Sequence, residues 1–367
     1  NQFYAEIGTF MVKRCEYNPL LTPADVRPSD PRFQVDGIFN CGVAQYQGEI
    51  ILLCRVAESV KQTDANKIEI PIVVNEDGKD VIKTVIYDKI KQPEFDYSDS
   101  RSVFKVGAGG RKMTANLTSL SHLRVARSKD GVHFTVDEKP SIMPVASEES
   151  WGMEDPRITQ IGETYYINYS AVTQNGVCVS LMRTQDFQTY ERMGIIFGPE
   201  NKDVAIFPEK IGGEYVAFNR PVPYGIGCPA MWLAKSPDLL HWGAQKLFMA
   251  TSEKGRWDEG RVGGGAVPLK TEKGWLVIYH AADAADRYCL GIYLLDLEHP
   301  ERIVGSMQVP FMEPQEDYEK EGFFGNVVFT CGALLQEDTV VIYYGAADDK
   351  ICRADIKLDD VYRMLNV

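Results

Sequence analysis

The sequence lacks long apolar runs: nowhere do about 18 consecutive apolar residues occur, so no membrane-spanning helix is expected. It is also short of positive charge, with 39 Lys and Arg against 52 Asp and Glu and a net charge of -13. That balance repels phosphate backbones and anionic lipid, which excludes nucleic acid and membrane surfaces as expected partners. The eight cysteines, at 15, 41, 54, 178, 228, 289, 331 and 352, form no C-x-x-C pair. They read as small buried hydrophobes in a reducing compartment rather than as disulfides or a zinc site. The five histidines are scattered, so no structural metal and no cofactor is expected. No G-x-S-x-G elbow and no P-loop occurs. Helix signals are scarce, and 359–365 is the best candidate for a short terminal helix. The first residues lack the basic and apolar segments of a secretory signal. The expected location is cytoplasmic, with the periplasm left open should a leader have been removed.

What is present is a repeat. The 367 residues are 44% apolar and 25% charged, ample for a large core. A turn rich in Gly or acidic residues followed by a β-rich run recurs at 47–55, 161–169, 212–220, 273–280 and 337–344. After the first interval the copies lie about 50 to 65 residues apart, a spacing of propeller blades. Each run follows another strand-like segment across a tight turn, at 39–44, 154–159, 207–211, 264–269 and 328–333, so each copy is a hairpin. Three copies are associated with a further strand and a polar turn closed by Phe134, Tyr190 or Trp242. Four strands in each of five units predict an all-β protein, a five-bladed β-propeller in a single domain over 1–367. The long first interval holds an insertion at about 61–116 with a hairpin over 68–87, placed to overhang one face.

In a propeller the inner strands converge on one axis, so equivalent polar positions become a cluster. The starts of the five hairpins carry Asn40, then Glu154, Asp155 and Arg157, then Glu209 and Lys210, then Asp258, Glu259 and Arg261, then Asn326. The ends of the second strands add Arg55, Glu58, Tyr169, Asn219, Arg220, His280, Asp283 and Asp348. Any one carboxylate at a strand start also serves as a turn cap or an arginine partner. Their joint recurrence points instead to a saccharide site, where two carboxyl groups divide acid and base work. Trp151, Trp257 and Phe207, each just before an acidic position, offer faces for sugar rings or for core packing.

Several phrases resemble glycoside hydrolase family 130, five-bladed propellers that act on β-mannosides. They are Gly152-Met153-Glu154-Asp155-Pro156-Arg157, the stretch 202–211, Arg220-Pro221, the stretch 274–280 and Gly322-Phe323-Phe324-Gly325-Asn326. The resemblance runs from about residue 18 to the C-terminus. It implies an inverting enzyme that removes a terminal β-linked mannose, by phosphorolysis to mannose 1-phosphate or by hydrolysis. It makes Asp155 the general acid, working through a hydroxyl of the sugar. It offers Arg55, Arg157, Lys210, Arg220 and His280 as phosphate ligands, with phosphate as co-substrate in place of any cofactor. The axial positions add Asn40, Glu58, Asn219, Arg261, Asp283 and Asn326 as further candidate substrate contacts.

Two departures bear on the reaction. Phosphorolytic members usually carry His where this chain has Asn219, and a small residue where it has Glu259. The expectation is therefore hydrolysis, with Glu209 and Glu259 as the pair of glutamates that handle water. Inversion asks for carboxyl groups about 6.5 to 9.5 Å apart. Phosphorolysis is the alternative, and a carbohydrate-binding propeller without chemistry is a remote one. The phrases at 55–58 and 117–121 look most like members acting on β-1,2-mannosides. The expected partner is an oligosaccharide, and a homo-oligomer is left open.

Overall fold

A computed structural model describes residues 11–367; residues 1–10 of the expected domain lie outside the described residues. Five antiparallel sheets stand around one axis. From the axis outward, blade 1 runs Phe33–Tyr46, Glu49–Val60, Leu120–Ser128 and Thr135–Val136. Blade 2 runs Met153–Ile161, Thr164–Thr173, Gly176–Thr184 and Glu191–Phe197. Blade 3 runs Asn201–Ile206, Tyr215–Pro221, Met231–Ser236 and Gly243–Met249. Blade 4 runs Arg261–Gly264, Gly274–Ala282, Tyr288–Leu295 and Ile303–Ser306, with Leu269–Thr271 also paired to its second strand. Blade 5 runs Val328–Gln336, Thr339–Ala346 and Lys350–Lys357. Its fourth strand is Lys13–Arg14, from the other end of the chain.

The blades explain why the second strands read as unbroken apolar runs. Each sheet is covered on both faces by its neighbours, so both sets of alternating side chains must be apolar. Ile51 and Leu53 pack with Ile158, Ile167 and Tyr169 of blade 2. Leu52 and Cys54, on the opposite face, pack with Val341 and Tyr343 of blade 5. In blade 4 every residue of Gly274–Ala282 is buried.

Two expected inner strands are displaced. In blade 3 the inner strand ends at Ile206, and 207–211 forms its exit loop, held by the single Ile211–Glu214 bridge. In blade 4 the inner strand begins at Arg261, because Trp257 to Gly260 belong to the preceding turn. Closure through Lys13–Arg14 was not foreseen, since two residues carry no periodic signal. The terminal helix spans Leu358–Leu365, and two four-residue helices occur at Ala146–Glu149 and Asp317–Lys320.

The insertion leaves blade 1 between its second and third strands. It holds two hairpins, Lys67–Glu76 with Lys79–Asp88 and Ser102–Val106 with Lys112–Leu117, around a small core of Ile70, Tyr87 and Val103. It crosses the face on which the inner strands begin. Arg101 lies with its guanidinium 4.0 Å from the Phe324 ring centre, and Val73 donates to the Ser150 carbonyl at 2.9 Å.

Candidate active site

The inner strands of blades 1, 2 and 3 share a bulge of one extra residue, between Phe39 and Gly42, Glu154 and Arg157, and Lys202 and Ala205. A bulge of this kind bends the strand and re-aims one side chain. The residue at the bulge is Asn40, Asp155 or Asp203, with φ of 47, 51 and 53°. Asn and Asp tolerate this left-handed conformation better than other non-glycine residues, which is why short polar side chains occupy the axis. The second strands present Arg55, Arg220 and His280 beside them, paired with Phe39, Lys202 and Gly263.

These side chains line a cavity of about 370 Å³, within the range of small-ligand sites. On one side Asp155 Oδ1 accepts from Asn40 Nδ2 and from Arg55 Nη1, both at 3.0 Å. Arg55 also pairs with Glu154 at 3.3 Å, and its guanidinium lies 4.6 Å from the Phe39 ring centre. Burial works against its charge, but Glu154, Asp155 and Asp348 more than offset this, so the guanidinium is held more firmly protonated than usual. Asp348 lines the same side. Burial, with Asp155 pushing the same way, raises its carboxyl to about 7 against the pull of Arg55 and Arg101.

The other side is cationic. Buried Asp203 meets Arg157 Nη2 at 3.2 Å, Arg220 Nη2 at 3.5 Å and His280 Nε2 at 3.1 Å. Burial alone would raise its pKa, but these neighbours hold it well below the carboxylate range. Burial lowers the basicity of His280, with Arg157 and Arg220 acting in the same direction. The imidazole is then neutral, Nε2–H donates to Asp203, and the buried Nδ1 is an acceptor without a partner. Nε and Nη1 of Arg220 are likewise buried with no hydrogen-bond partner. Lys202 lines the cavity and makes no ion pair among the described residues. Arg261, also in the wall, bonds Tyr288 Oη at 2.7 Å and Asp286 at 2.6 Å. Buried donors without acceptors beside further cations suit a multiply charged anion with several oxygens.

Of the residues singled out in the sequence, the cavity brings together Asn40, Arg55, Glu154, Asp155, Arg220, Arg261, His280 and Asp348. Arg157 lies beneath, bound to the Gly264 and Gly265 carbonyls and to Asp203. The others stand elsewhere. Glu209 sits in the exit loop of blade 3, about half exposed at 49%, and pairs with Lys270 at 2.6 Å. Lys210 is exposed, its ammonium 4.9 Å from the Tyr215 ring centre. Glu259 accepts from the Gly255 and Ala284 amides at 2.5 and 3.2 Å, closing its own turn. Asp283 caps a loop through the Ala285 and Arg287 amides. Asn219 is buried in hydrogen bonds with Asn201 and Gln245, outside the cavity wall. Glu58 binds Ser29 and His122 in the body of blade 1. Asn326 is exposed, and its carbonyl accepts from the Tyr288 amide.

Lys202 and Asp203 were missed. Their signal was available: Asp203 follows the same strand-opening pattern as Asp155, a polar pair before an apolar run. Reading 207–211 as the inner strand moved the equivalent position six residues along, onto Glu209. Among the described residues no group of His, Cys, Asp and Glu is arranged to hold a metal ion.

Comparison with known proteins agrees with this geometry. A family model described as beta-1,4-mannooligosaccharide phosphorylase matches residues 109–367. The beta-1,2-mannobiose phosphorylase of Listeria innocua is 45% identical over 97% of this chain and 99% of its own length. A 1,2-beta-oligomannan phosphorylase of Thermoanaerobacter is 38% identical, over 66% of this chain and 80% of its own. The solved structure of the Listeria innocua enzyme with beta-1,2-mannobiose superposes with a TM-score of 0.91, covering 97% of this chain and 99% of that one at 44% identity. A solved family member described as a hydrolase of beta-1,2-mannosidic linkages shares the fold at a TM-score of 0.69 and 20% identity. The expectation of hydrolysis is thereby corrected. The similar relatives are named phosphorylases, and the two glutamates assigned to water stand outside the cavity. With its propeller, its axial cavity and these relatives, the chain belongs to glycoside hydrolase family 130.

Proposed function

We propose that the protein is a β-1,2-mannoside phosphorylase, converting β-1,2-mannobiose and inorganic phosphate into α-mannose 1-phosphate and mannose. The observation that carries this reading is Arg220, whose Nε and Nη1 are buried without partners beside Lys202 and Arg261, in the same cavity as Asp155. Phosphate held by these cations attacks C1 of the terminal mannose from the face opposite the leaving group. The C1–O bond breaks, and the departing oxygen takes a proton supplied by Asp155 through a sugar hydroxyl. The proton of monohydrogen phosphate replaces the one given up, so the net reaction needs no other acid. Arg55 and Asn40 fix the orientation of Asp155, and a positioned acid contributes about 10²- to 10⁴-fold. Neither Asn219 nor Glu259 reaches the cavity, so the two departures do not oppose a bound dianion.

The description of the family model carries a β-1,4 linkage and the Listeria relative a β-1,2 linkage. The identity to the latter over nearly the whole of both chains favours β-1,2. The test incubates β-1,2- and β-1,4-mannobiose with and without phosphate and identifies the products. Mannose 1-phosphate from the β-1,2 disaccharide only when phosphate is present is the expected result. Free mannose at the same rate in both tubes sinks the reading.

A further inference from the structure

A second groove, of about 610 Å³, lies between the first insertion hairpin and the top of blade 2. Its blade wall is Trp151, and its hairpin wall includes Val74, Asn75 and Asp80. Trp151 is half-buried, its indole Nε1 makes no hydrogen bond, and its ring meets no other aromatic ring or cation among the described residues. Trp242 and Trp275 are different: each packs against a phenylalanine and donates its Nε1 to a backbone carbonyl. Trp151 is therefore fixed in the groove without being used by the core. Its backbone is held by a 2.8 Å bond to the Val172 carbonyl, and Ser150 by the Val73 bond from the hairpin.

The groove adjoins the catalytic cavity. Trp151 precedes Glu154 by three residues, at most about 10 Å of chain. Between them Gly152 packs so closely on Ser121 that a Cβ would lie 3.0 Å from its amide nitrogen, and Ser121 Oγ accepts from Arg55 at 3.1 Å. Gly152 and Ser121 thus connect Trp151 in the groove to Glu154 and Arg55 in the cavity wall, the two spaces having no lining residue in common. The groove contains one carboxylate, Asp80, and no cation, which favours a neutral ligand. Asp80 Oδ2 and the Gln174 amide have no hydrogen-bond partner among the described residues, so polar capacity for hydroxyl groups stands around an open aromatic face.

We propose that this groove is a distal subsite for longer β-mannan chains, with Trp151 stacking on a pyranose ring and Asp80 and Gln174 bonding its hydroxyls. An aromatic face covers the C–H face of a sugar while the rim takes its polar groups. The inference rests on the phosphorolytic reading, in that the chain bound here is the one whose terminal mannose sits at Asp155. The subsite distinguishes chains by length, adding affinity for oligosaccharides and none for the disaccharide.

The test is calorimetric titration of β-1,2-mannobiose and β-1,2-mannohexaose into Asp155→Asn, with and without Trp151→Ala. The hexaose Kd is expected to rise about tenfold on loss of the indole, while the mannobiose Kd stays within a factor of about two. Trp151→Phe is expected to restore most of the hexaose affinity, which a loss of packing alone does not predict. Gln174→Ala, at an exposed position, is the second variant should Trp151→Ala fold poorly, with a weakening confined to the hexaose. An unchanged hexaose Kd, or an equal loss for both ligands, overturns the proposal. So does a change in molecular mass with Trp151→Ala and no dependence on length, which assigns the indole to a contact between copies. Absence of mannose 1-phosphate from the wild-type protein refutes the phosphorolytic reading by itself, whereas the titration reads the groove without turnover.

Discussion

Asn40 and Asp155 stand at the same bulge position in neighbouring blades, and Nδ2 of Asn40 donates to Oδ1 of Asp155 at 3.0 Å. One repeat thus positions the carboxyl group of the next, with Arg55 completing the clamp from the second strand of blade 1.

Replacing Asp155 by Asn is expected to lower kcat about 10²- to 10⁴-fold with the circular dichroism spectrum unchanged. Asn40→Ala removes one donor to the same oxygen and is expected to reduce kcat about tenfold, within the worth of a hydrogen bond to a charged group. Steady-state kinetics on both variants checks the order of the two effects.

Arg220→Gln is expected to raise the KM for phosphate ten- to a hundredfold, consistent with about 1.5–3 kcal/mol for a hydrogen bond to a charged group. The KM for the mannoside is expected to move by less than about threefold, because the unpartnered donors lie on the cationic side. Varying each substrate at saturating levels of the other separates the two.

Glu209→Gln and Glu259→Gln are expected to leave kcat within about twofold. Glu209 loses only a surface pair with Lys270, of the kind worth about 0–1 kcal/mol. Glu259 loses some stability of its own turn. A thousandfold loss in either variant returns that residue to the chemistry.

Asp348→Asn tests the pH dependence of stability. The carboxyl titrates at about 7 in the fold and at about 3.9 in the unfolded chain. Below about 4 both states are protonated, and the favourable term is fully present. As pH rises from there the unfolded chain ionises first, so wild-type stability is lost progressively until about pH 7. The Asn variant carries no such loss. Its Tm advantage over wild type is expected to grow between pH 4 and 7 and then level off, as read by scanning calorimetry.

Gly263→Ala is expected to destabilise the fold and weaken phosphate use together. A Cβ there would stand 2.7 Å from Asp203 Oδ2 and 2.7 Å from His280 Nε2, between the two partners of that bond. Thermal unfolding and the phosphate KM are the two readouts.

The sequence by itself determined the five-blade architecture. Each sheet must be apolar on both faces to pack between two others, so every second strand announced itself as an apolar run after a turn. It also placed Asn40, Asp155, Arg55, Arg220 and His280, because these sit next to the repeated phrase and keep its register. Only the tertiary structure decided which remaining polar residues face the axis. Glu209 and Asp203 lie six residues apart on one segment, and the difference between cavity and surface is where the inner strand ends, which pairing with Tyr215–Pro221 sets. The same holds for Lys13–Arg14 closing blade 5 and for the insertion meeting Phe324 across the cavity. Those contacts join residues far apart in the chain, and local pattern carries no record of them.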